Sequence, residues 1–372
     1  MNAKSLFLLA LLPTLLVACK PDTEEPPTGG GGNEPWPTTP YTLAIPANFP
    51  PMTIPADNPM TEEGVKLGRF LFYEERLSGD NTMSCASCHA PEFVFSDHGN
   101  QFSTGIDGVA GTRNSMVLQN LGWEQRFFWD GRAASLEEQI VQPVENTVEM
   151  HDTWPNVLNK LNSIAAYQAL FQDAFGPNAM TKANAAKAIA QFLRTMISGN
   201  SRFDQFQRGE IQLDIDGQLG FLLTQQEGGN PSLGLGGQWG ADCFHCHPHG
   251  GGRVTDGSMR NNGLDATFTD LGLGGVTGLE QDMGKFKVPQ LRNVALSAPY
   301  MHDGRFQTLE QVIDHYNTGG VPSPTIDAFM KFTQGGLSLT PEKKAQLVAF
   351  LNTLTDMEFV NNPAFHDPGE PQ

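Results

Sequence analysis

The chain has 372 residues, with 23 Lys and Arg against 41 Asp and Glu, a formal net charge of −18 and five cysteines. So large an acidic excess, with no basic stripe, excludes nucleic acid as the main partner, because phosphate contacts need clustered Lys and Arg. Five cysteines are too few for a disulfide scaffold and their odd count gives at least one a separate fate, while a length of this order suggests two domains of ~100 to 200 residues.

The N-terminus accounts for the first cysteine. Lys4 is followed by an apolar run from Leu6 to Val17, and Leu16-Val17-Ala18-Cys19 closes it with small residues. The run is too short for a mature membrane span but suits a signal peptide. Its last four residues resemble a bacterial lipobox, so residues 1–18 are expected to be removed and Cys19 to be lipidated; ordinary secretion with a free Cys19 is the alternative. Residues 19–45 are rich in Pro, Gly, Thr and Glu without apolar periodicity, the composition of a flexible tether. A periplasmic, lipid-anchored protein is therefore expected.

The other four cysteines form Cys85-Ala86-Ser87-Cys88-His89 and Cys243-Phe244-His245-Cys246-His247. C-x-x-C-H is the pattern of covalent c-type haem attachment, in which two thiols bond the vinyl groups and the histidine ligates the iron. Two copies that use every remaining cysteine, in an exported chain, predict two haems. The rivals are a four-cysteine zinc site, which must bridge the 155 positions between Cys88 and Cys243, and a disulfide within each motif.

Downstream of each motif the chain repeats. Arg113-Asn114-Ser115 is echoed by Arg292-Asn293-Val294, and Phe128 to Glu137 by Met301 to Glu310 at an offset of 173. Each half ends in an amphipathic stretch, Ala185 to Ser198 and Pro341 to Thr355, with apolar residues at helical spacing. Thr340-Pro341-Glu342 is a helix-start signal. An extra helix is expected near Trp154 to Phe175. The expected fold is mainly α, with two tandem cytochrome c-like haem domains over residues 46–205 and 206–365 and a tail at 366–372.

Thr308, Gln311 and Gly319 bracket a short helix with Leu309, Val312, Ile313 and Tyr316 on one face. An inward Tyr316 could serve as an axial haem ligand, since phenolate ligates haem iron; the bland reading is a core aromatic, and Met301 offers a rival thioether. The equivalent position in the first half is Pro143, which has no ligating atom. One haem then reads as six-coordinate and the other as five-coordinate. His98, His245 and His249 read as surface or propionate contacts, and His302, the counterpart of Trp129, as a neighbour of the haem rather than its ligand.

Together these residues resemble the bacterial di-haem cytochrome c peroxidase and MauG family over roughly residues 50 to 360. The resemblance rests on both C-x-x-C-H motifs, Arg113-Asn114-Ser115, Phe128 to Gln139, Val148-Glu149-Met150 and Leu291 to Gly304. It implies that Trp129 relays electrons between the haems, that Glu149 is the acid/base carboxylate of the peroxide pocket with Gln139 and Pro143 beside it, and that Asn114, Ser297 and Pro299 hold a calcium ion. It also implies that the N-terminal haem is peroxidatic and the C-terminal one transfers electrons.

Two departures stand out. Ile106 occupies the stretch where the peroxidases carry a second histidine that blocks the resting iron, and Tyr316 stands where typical peroxidases have methionine and MauG-like members tyrosine. Both point to a first haem open without reductive activation. The expected activity is reduction of hydrogen peroxide by a small donor such as cytochrome c, with peroxide-driven oxidation of protein side chains, or non-catalytic electron transfer, as alternatives.

Overall fold

The computed structural model describes residues 36–229 and 239–371. The apolar N-terminus and Cys19 lie outside them. Chain contacts divide Met1–Trp36 from Pro37–Gln372, and the second unit holds both C-x-x-C-H motifs.

The described residues are mainly helical, as expected. Helix α1 (Glu62–Phe72) starts at Thr61, whose hydroxyl accepts from the Gly64 amide, and α2 (Leu136–Glu145) starts at Ser135, which accepts from Glu138. Then come α3 (Trp154–Asn162), α4 (Ala165–Phe175) and α5 (Lys182–Thr195). The single extra helix expected over Trp154 to Phe175 is thus two. Asn162-Ser163 interrupts it, with the Ser163 hydroxyl donating back to the Lys160 carbonyl at 2.7 Å, the local competition that makes Ser and Asn poor inside helices.

The second half contains α6 (Arg202–Gln207), α7 (Ile215–Thr224), α8 (Leu273–Thr277), α9 (Leu309–Thr318), α10 (Pro341–Thr353) and α11 (Met357–Val360). One two-stranded antiparallel ladder, β1 (Met259–Arg260) with β2 (Phe286–Lys287), pairs Met259 with Lys287 and Arg260 with Phe286. In each half the first long helix packs on the last, α1 on α5 and α7 on α10. A glycine permits each close approach: a Cβ at Gly68 would collide with the Ala188 carbonyl, and one at Gly220 with the Gln346 carbonyl.

The repeat is visible in the backbone. Helices α2 and α9 begin 173 residues apart and have equal length. The bridges Phe127–Ala133 and Tyr300–Phe306 carry the same offset, and so do the positive-φ residues Asn120 and Asn293, Phe128 and Met301, and Gly131 and Gly304. This corrects the echo of Arg113-Asn114 by Arg292-Asn293. The true partner of Asn293 is Asn120, since both adopt left-handed backbone, which asparagine tolerates, and each leads a short 3-10 turn.

Two buried apolar clusters form the interior. One gathers Leu67, Phe72, Val94, Trp154, Phe171 and Phe192, the other Phe203, Leu223, Ile313, Leu347, Phe350 and Leu354. Phe359, Val360 and Phe365, expected in the second domain, pack in the first cluster instead. A buried polar seam joins the halves. Asn120 donates to Gln290 Oε1 at 3.1 Å, Gln290 donates to the Gln119 carbonyl at 2.7 Å, and Asn293 donates to Ser198 Oγ at 2.9 Å. The Arg292 guanidinium holds Asp204 in two bonds of 2.7 and 2.6 Å.

Candidate functional site: two cavities on a shared wall

Each C-x-x-C-H motif forms a tight 3-10 turn, Cys85–Ser87 and Cys243–His245. The Ser84 and Ser87 side chains cap the first reciprocally, and Asp242 in left-handed backbone leads the second. The four thiols are unpaired, and burial raises Cys85 and Cys243 to about 12 and Cys88 and Cys246 to about 11. Cys88 lines one cavity, Cys243 and Cys246 another. The two pairs therefore do not converge as a four-cysteine site.

Both histidines are prepared as ligands. His89 Nδ1 lies 2.7 Å from the Phe95 carbonyl and His247 Nδ1 lies 3.2 Å from that of Val254. A bond at Nδ1 fixes the tautomer and reserves Nε2 for a metal. Burial lowers the pKa of both, His247 to about 4, which keeps the imidazoles neutral. A neutral imidazole with an oriented ring, beside two unpaired thiols and an adjoining cavity, is the donor set that a covalent c-type haem requires, and it occurs twice.

The first cavity, about 1250 Å³, is lined by His89, Trp129, Gln139, Pro143, Asn146 and Glu149 among others. Helix α2 supplies Gln139 and Pro143, and the turn after it supplies Glu149. Asn146 shapes that turn: its carbonyl accepts from the Glu149 amide at 3.0 Å, and its side-chain amide donates to Glu149 Oε1 at 2.6 Å. Burial raises the Glu149 pKa, opposed by the Asn146 hydrogen bond and by the charge of Arg132. The Arg132 guanidinium lies 3.4 Å over the Phe128 ring and bonds Asp130 and Gln142. Asn146 has no mark in the sequence spacing, and Arg132, though its Asp-Gly-Arg repeats at 303–305, shows its charge on Glu149 only in the fold.

The loop at Ser103–Gly108 borders this cavity through Ser103, Thr104 and Gly105. Ile106 presents no ligating atom, and its amide donates to the Glu149 carbonyl at 3.0 Å.

The second cavity, about 240 Å³, is lined by Cys243, Cys246, His247, Met301 and Tyr316. Helix α9 places Tyr316 there, with Thr308 and Gln311 forming its capping box and Gly319 its left-handed C-cap. Burial raises the tyrosine pKa to about 12, and a hydrogen bond from Asn262 opposes the rise. Asn262 Nδ2 lies 3.3 Å from Tyr316 Oη and 3.4 Å from Met301 Sδ. Asn262 also went unread in the sequence, because the loop after β1 meets α9 only in the fold.

Trp129, Phe286 and His302 line both cavities. Trp129 Nε1 donates to the Asn114 carbonyl at 2.8 Å, and the Trp129 carbonyl accepts from the Lys287 amide at 2.8 Å. The His302 ring stacks on Phe286 with centroids 3.6 Å apart. Asn114 donates from its backbone to the His302 carbonyl at 2.7 Å, and from its side chain to the Asn100 and Gln101 carbonyls at 3.2 and 3.1 Å. The Ser297 hydroxyl donates to the Val294 carbonyl at 3.2 Å, and Pro299 follows a cis peptide bond.

The remaining histidines differ from one another. His98 is exposed beside Phe93. His245 contacts Asp242 and Glu227 at 3.2 and 3.3 Å and stacks on Phe329. His249 is half-buried, packed among Phe203, Phe221 and Phe350 with Nε2 3.1 Å from Thr224 Oγ1. Among the described residues no helix is long and apolar enough to cross a membrane.

A family model described as di-haem cytochrome c peroxidase matches residues 62–212. Methylamine utilization protein MauG of Methylorubrum extorquens is 36% identical over 307 residues, covering 81% of this chain and 80% of its own length. Cytochrome c551 peroxidase of Nitrosomonas europaea is 32% identical over 318 residues, covering 83% and 85%. Among solved structures, a MauG-like protein associated with microbial copper homeostasis superposes with a TM-score of 0.77 at 35% identity, over 89% of this chain and all of that one. The diheme peroxidase BthA of Burkholderia thailandensis shares the fold, with a TM-score of 0.70 at 22% identity over 91% of this chain and all of that one.

Proposed function

This chain belongs to the di-haem cytochrome c peroxidase family, oxidoreductases that hold two c-type haems and reduce hydrogen peroxide, and from that premise we propose how its residues divide the work. Cys85, Cys88 and His89 hold the first haem in the N-terminal domain. Cys243, Cys246 and His247 would hold the second in the C-terminal domain, with Tyr316 as a further ligand from the same cavity. The observation that carries this division is the pair Pro143 and Tyr316, equivalent positions on α2 and α9 that line different cavities. A bound c-type haem supplies the redox-active iron at which peroxide is reduced.

The chain's own groups then act in sequence. Peroxide enters the first cavity, where Pro143 offers no atom to close the iron. Glu149 takes a proton from one peroxide oxygen and returns it to the other, the task of a carboxylate within hydrogen-bond reach. Asn146 holds Glu149 in place, and Gln139 shapes the same pocket. Two electrons and two protons complete the conversion of H2O2 to two waters. The electrons cross the shared wall through Trp129, so the donor need not touch the peroxide pocket.

The donor is a small reduced protein such as a cytochrome c. A second reading, MauG-like oxidation of protein side chains, is favoured by Tyr316 together with Ile106, which leave the first site free of a blocking histidine and give the second an oxygen ligand. Asn114, Ser297 and Pro299 are assigned to a calcium ion between the domains, supported by the hydrogen bonds that tie the Asn114 backbone to Trp129 Nε1 and to the His302 carbonyl. The Leu16 to Cys19 sequence supports export to the periplasm and a lipid anchor on Cys19.

Steady-state peroxide consumption with and without reduced cytochrome c, alongside the spectrum of the oxidised protein, tests the assignment. A high-spin ferric population that reacts with one equivalent of peroxide is expected. Two low-spin haems inert to peroxide would make the chain an electron carrier instead.

A further inference from the structure

We propose that Asn262 selects the axial ligand of the second haem, directing Tyr316 to the iron and keeping Met301 from it. The inference rests on the reading of Tyr316 as that ligand. Two candidate donors line one cavity, a phenol oxygen and a thioether sulfur, and one side-chain amide reaches both, at 3.3 and 3.4 Å. An asparagine amide carries two hydrogens and can serve both acceptors at once.

Its two bonds act in the same direction. A donor to the phenol oxygen orients the hydroxyl within the cavity and leaves its second lone pair for a metal. A donor to the thioether occupies a sulfur lone pair, the weaker acceptor of the two, and holds the softer ligand in a second position. The amide is fixed for this role. The Asn262 backbone carbonyl accepts from His315 Nε2 at 2.9 Å, and His315 neighbours Tyr316 on α9, so the backbone at Asn262 is tethered to the helix that carries the tyrosine. On the other side, the Asn261 side chain anchors the segment to Ser323 and Thr325, both at 3.0 Å. Met301 starts a left-handed turn pinned on one side by the Tyr300–Phe306 bridge and on the other by the Asn114 amide on the His302 carbonyl, which leaves its side chain to be held by Asn262.

Asn262→Leu keeps the approximate volume and removes both donors. In the oxidised holoprotein we expect a second low-spin population with the near-infrared charge-transfer band of thioether ligation, and a rise in the midpoint potential of the second haem. Asn262→Leu with Met301→Leu is expected to return to a single tyrosine-ligated spectrum, and Met301→Leu alone to leave the wild-type spectrum unchanged. Should Asn262→Leu fail to incorporate haem, Asn262→Thr, with one hydroxyl donor for two acceptors, reads the same competition. An unchanged spectrum and potential in the variant that does incorporate haem overturns the proposal. A thioether band in the wild-type protein that Met301→Leu abolishes overturns the reading of Tyr316 itself, and so separates the two failures.

Discussion

Pro143 and Tyr316 occupy the same position of the same helix, repeated 173 residues apart. Helices α2 and α9 agree in length, in their Ser135 and Thr308 N-caps and in the bridge that precedes each. What differs is the side chains facing the cavities, Gln139 and Pro143 on α2 against Val312 and Tyr316 on α9. A ring with no donor atom leaves a metal open to an exogenous ligand, and a phenol closes it.

On the proposed division of the two sites, peroxide chemistry depends on Glu149. Replacing it with Gln removes the proton carrier while preserving shape, and should slow reaction with peroxide by roughly 10²- to 10⁴-fold. Stopped-flow absorbance with one equivalent of peroxide measures this, and an unchanged rate would remove Glu149 from the mechanism.

Asn146 should set the acid limb of the same reaction. Burial raises the Glu149 pKa and the Asn146 hydrogen bond opposes that rise. Asn146→Ala removes the opposition, so the carboxyl pKa climbs further and the proton-accepting form appears only at higher pH. The acid limb of the pH–rate profile is expected to move upward, with the rate at alkaline pH less affected.

Trp129 joins the two cavities, so its loss should separate binding from turnover. Trp129→Phe is expected to retain the first reaction with peroxide and to lose most steady-state turnover with an external donor. Equal loss of both would indicate that the indole serves only to pack the wall.

Removing one attachment motif tests the independence of the two sites. Cys85→Ala with Cys88→Ala should halve the haem bound per chain and abolish the reaction with peroxide. The spectrum assigned to the second haem should persist, as judged by pyridine haemochrome content and the oxidised absorbance.

The pair Arg292–Asp204 is the most deeply buried ion pair described, with side chains 1% and 0% exposed. Arg292→Met leaves Asp204 uncompensated and should cost about 3 to 5 kcal/mol of the holoprotein's stability, read by denaturant unfolding. Burial alone would raise the Asp204 pKa, but Arg292 and Ser201 hold it below the ordinary value. A depressed folded pKa contributes stability that is complete above the unfolded value of about 4 and lost as pH falls through the folded one. The variant should therefore lose this part of the acid dependence.

Much of the chemistry was legible without a fold. The C-x-x-C-H motifs are contiguous because one haem edge must meet two thiols and a histidine within a single turn, and the capping signals around α9 are local. The 173-residue offset was equally readable where side chains repeat, from Phe128 to Glu137. It was misread at Arg113 and Arg292, where an identical dipeptide occupies different places: Arg113 pairs with Asp130 and Asp270, Arg292 with Asp204. Only the left-handed backbone of Asn120 and Asn293 revealed the true register.

By itself, then, the sequence determined the two C-x-x-C-H motifs, the duplication and the contrast of Pro143 with Tyr316, all carried by short-range patterns. The tertiary structure decided what surrounds those residues: Trp129 in a wall common to both cavities, Asn146 on Glu149, and Asn262 between Tyr316 and Met301. Such contacts join segments distant in the chain, 54 residues apart in the case of Asn262 and Tyr316 and further still where Trp129 meets Lys287. They depend on how helices pack and where loops are pinned, and no local periodicity encodes that.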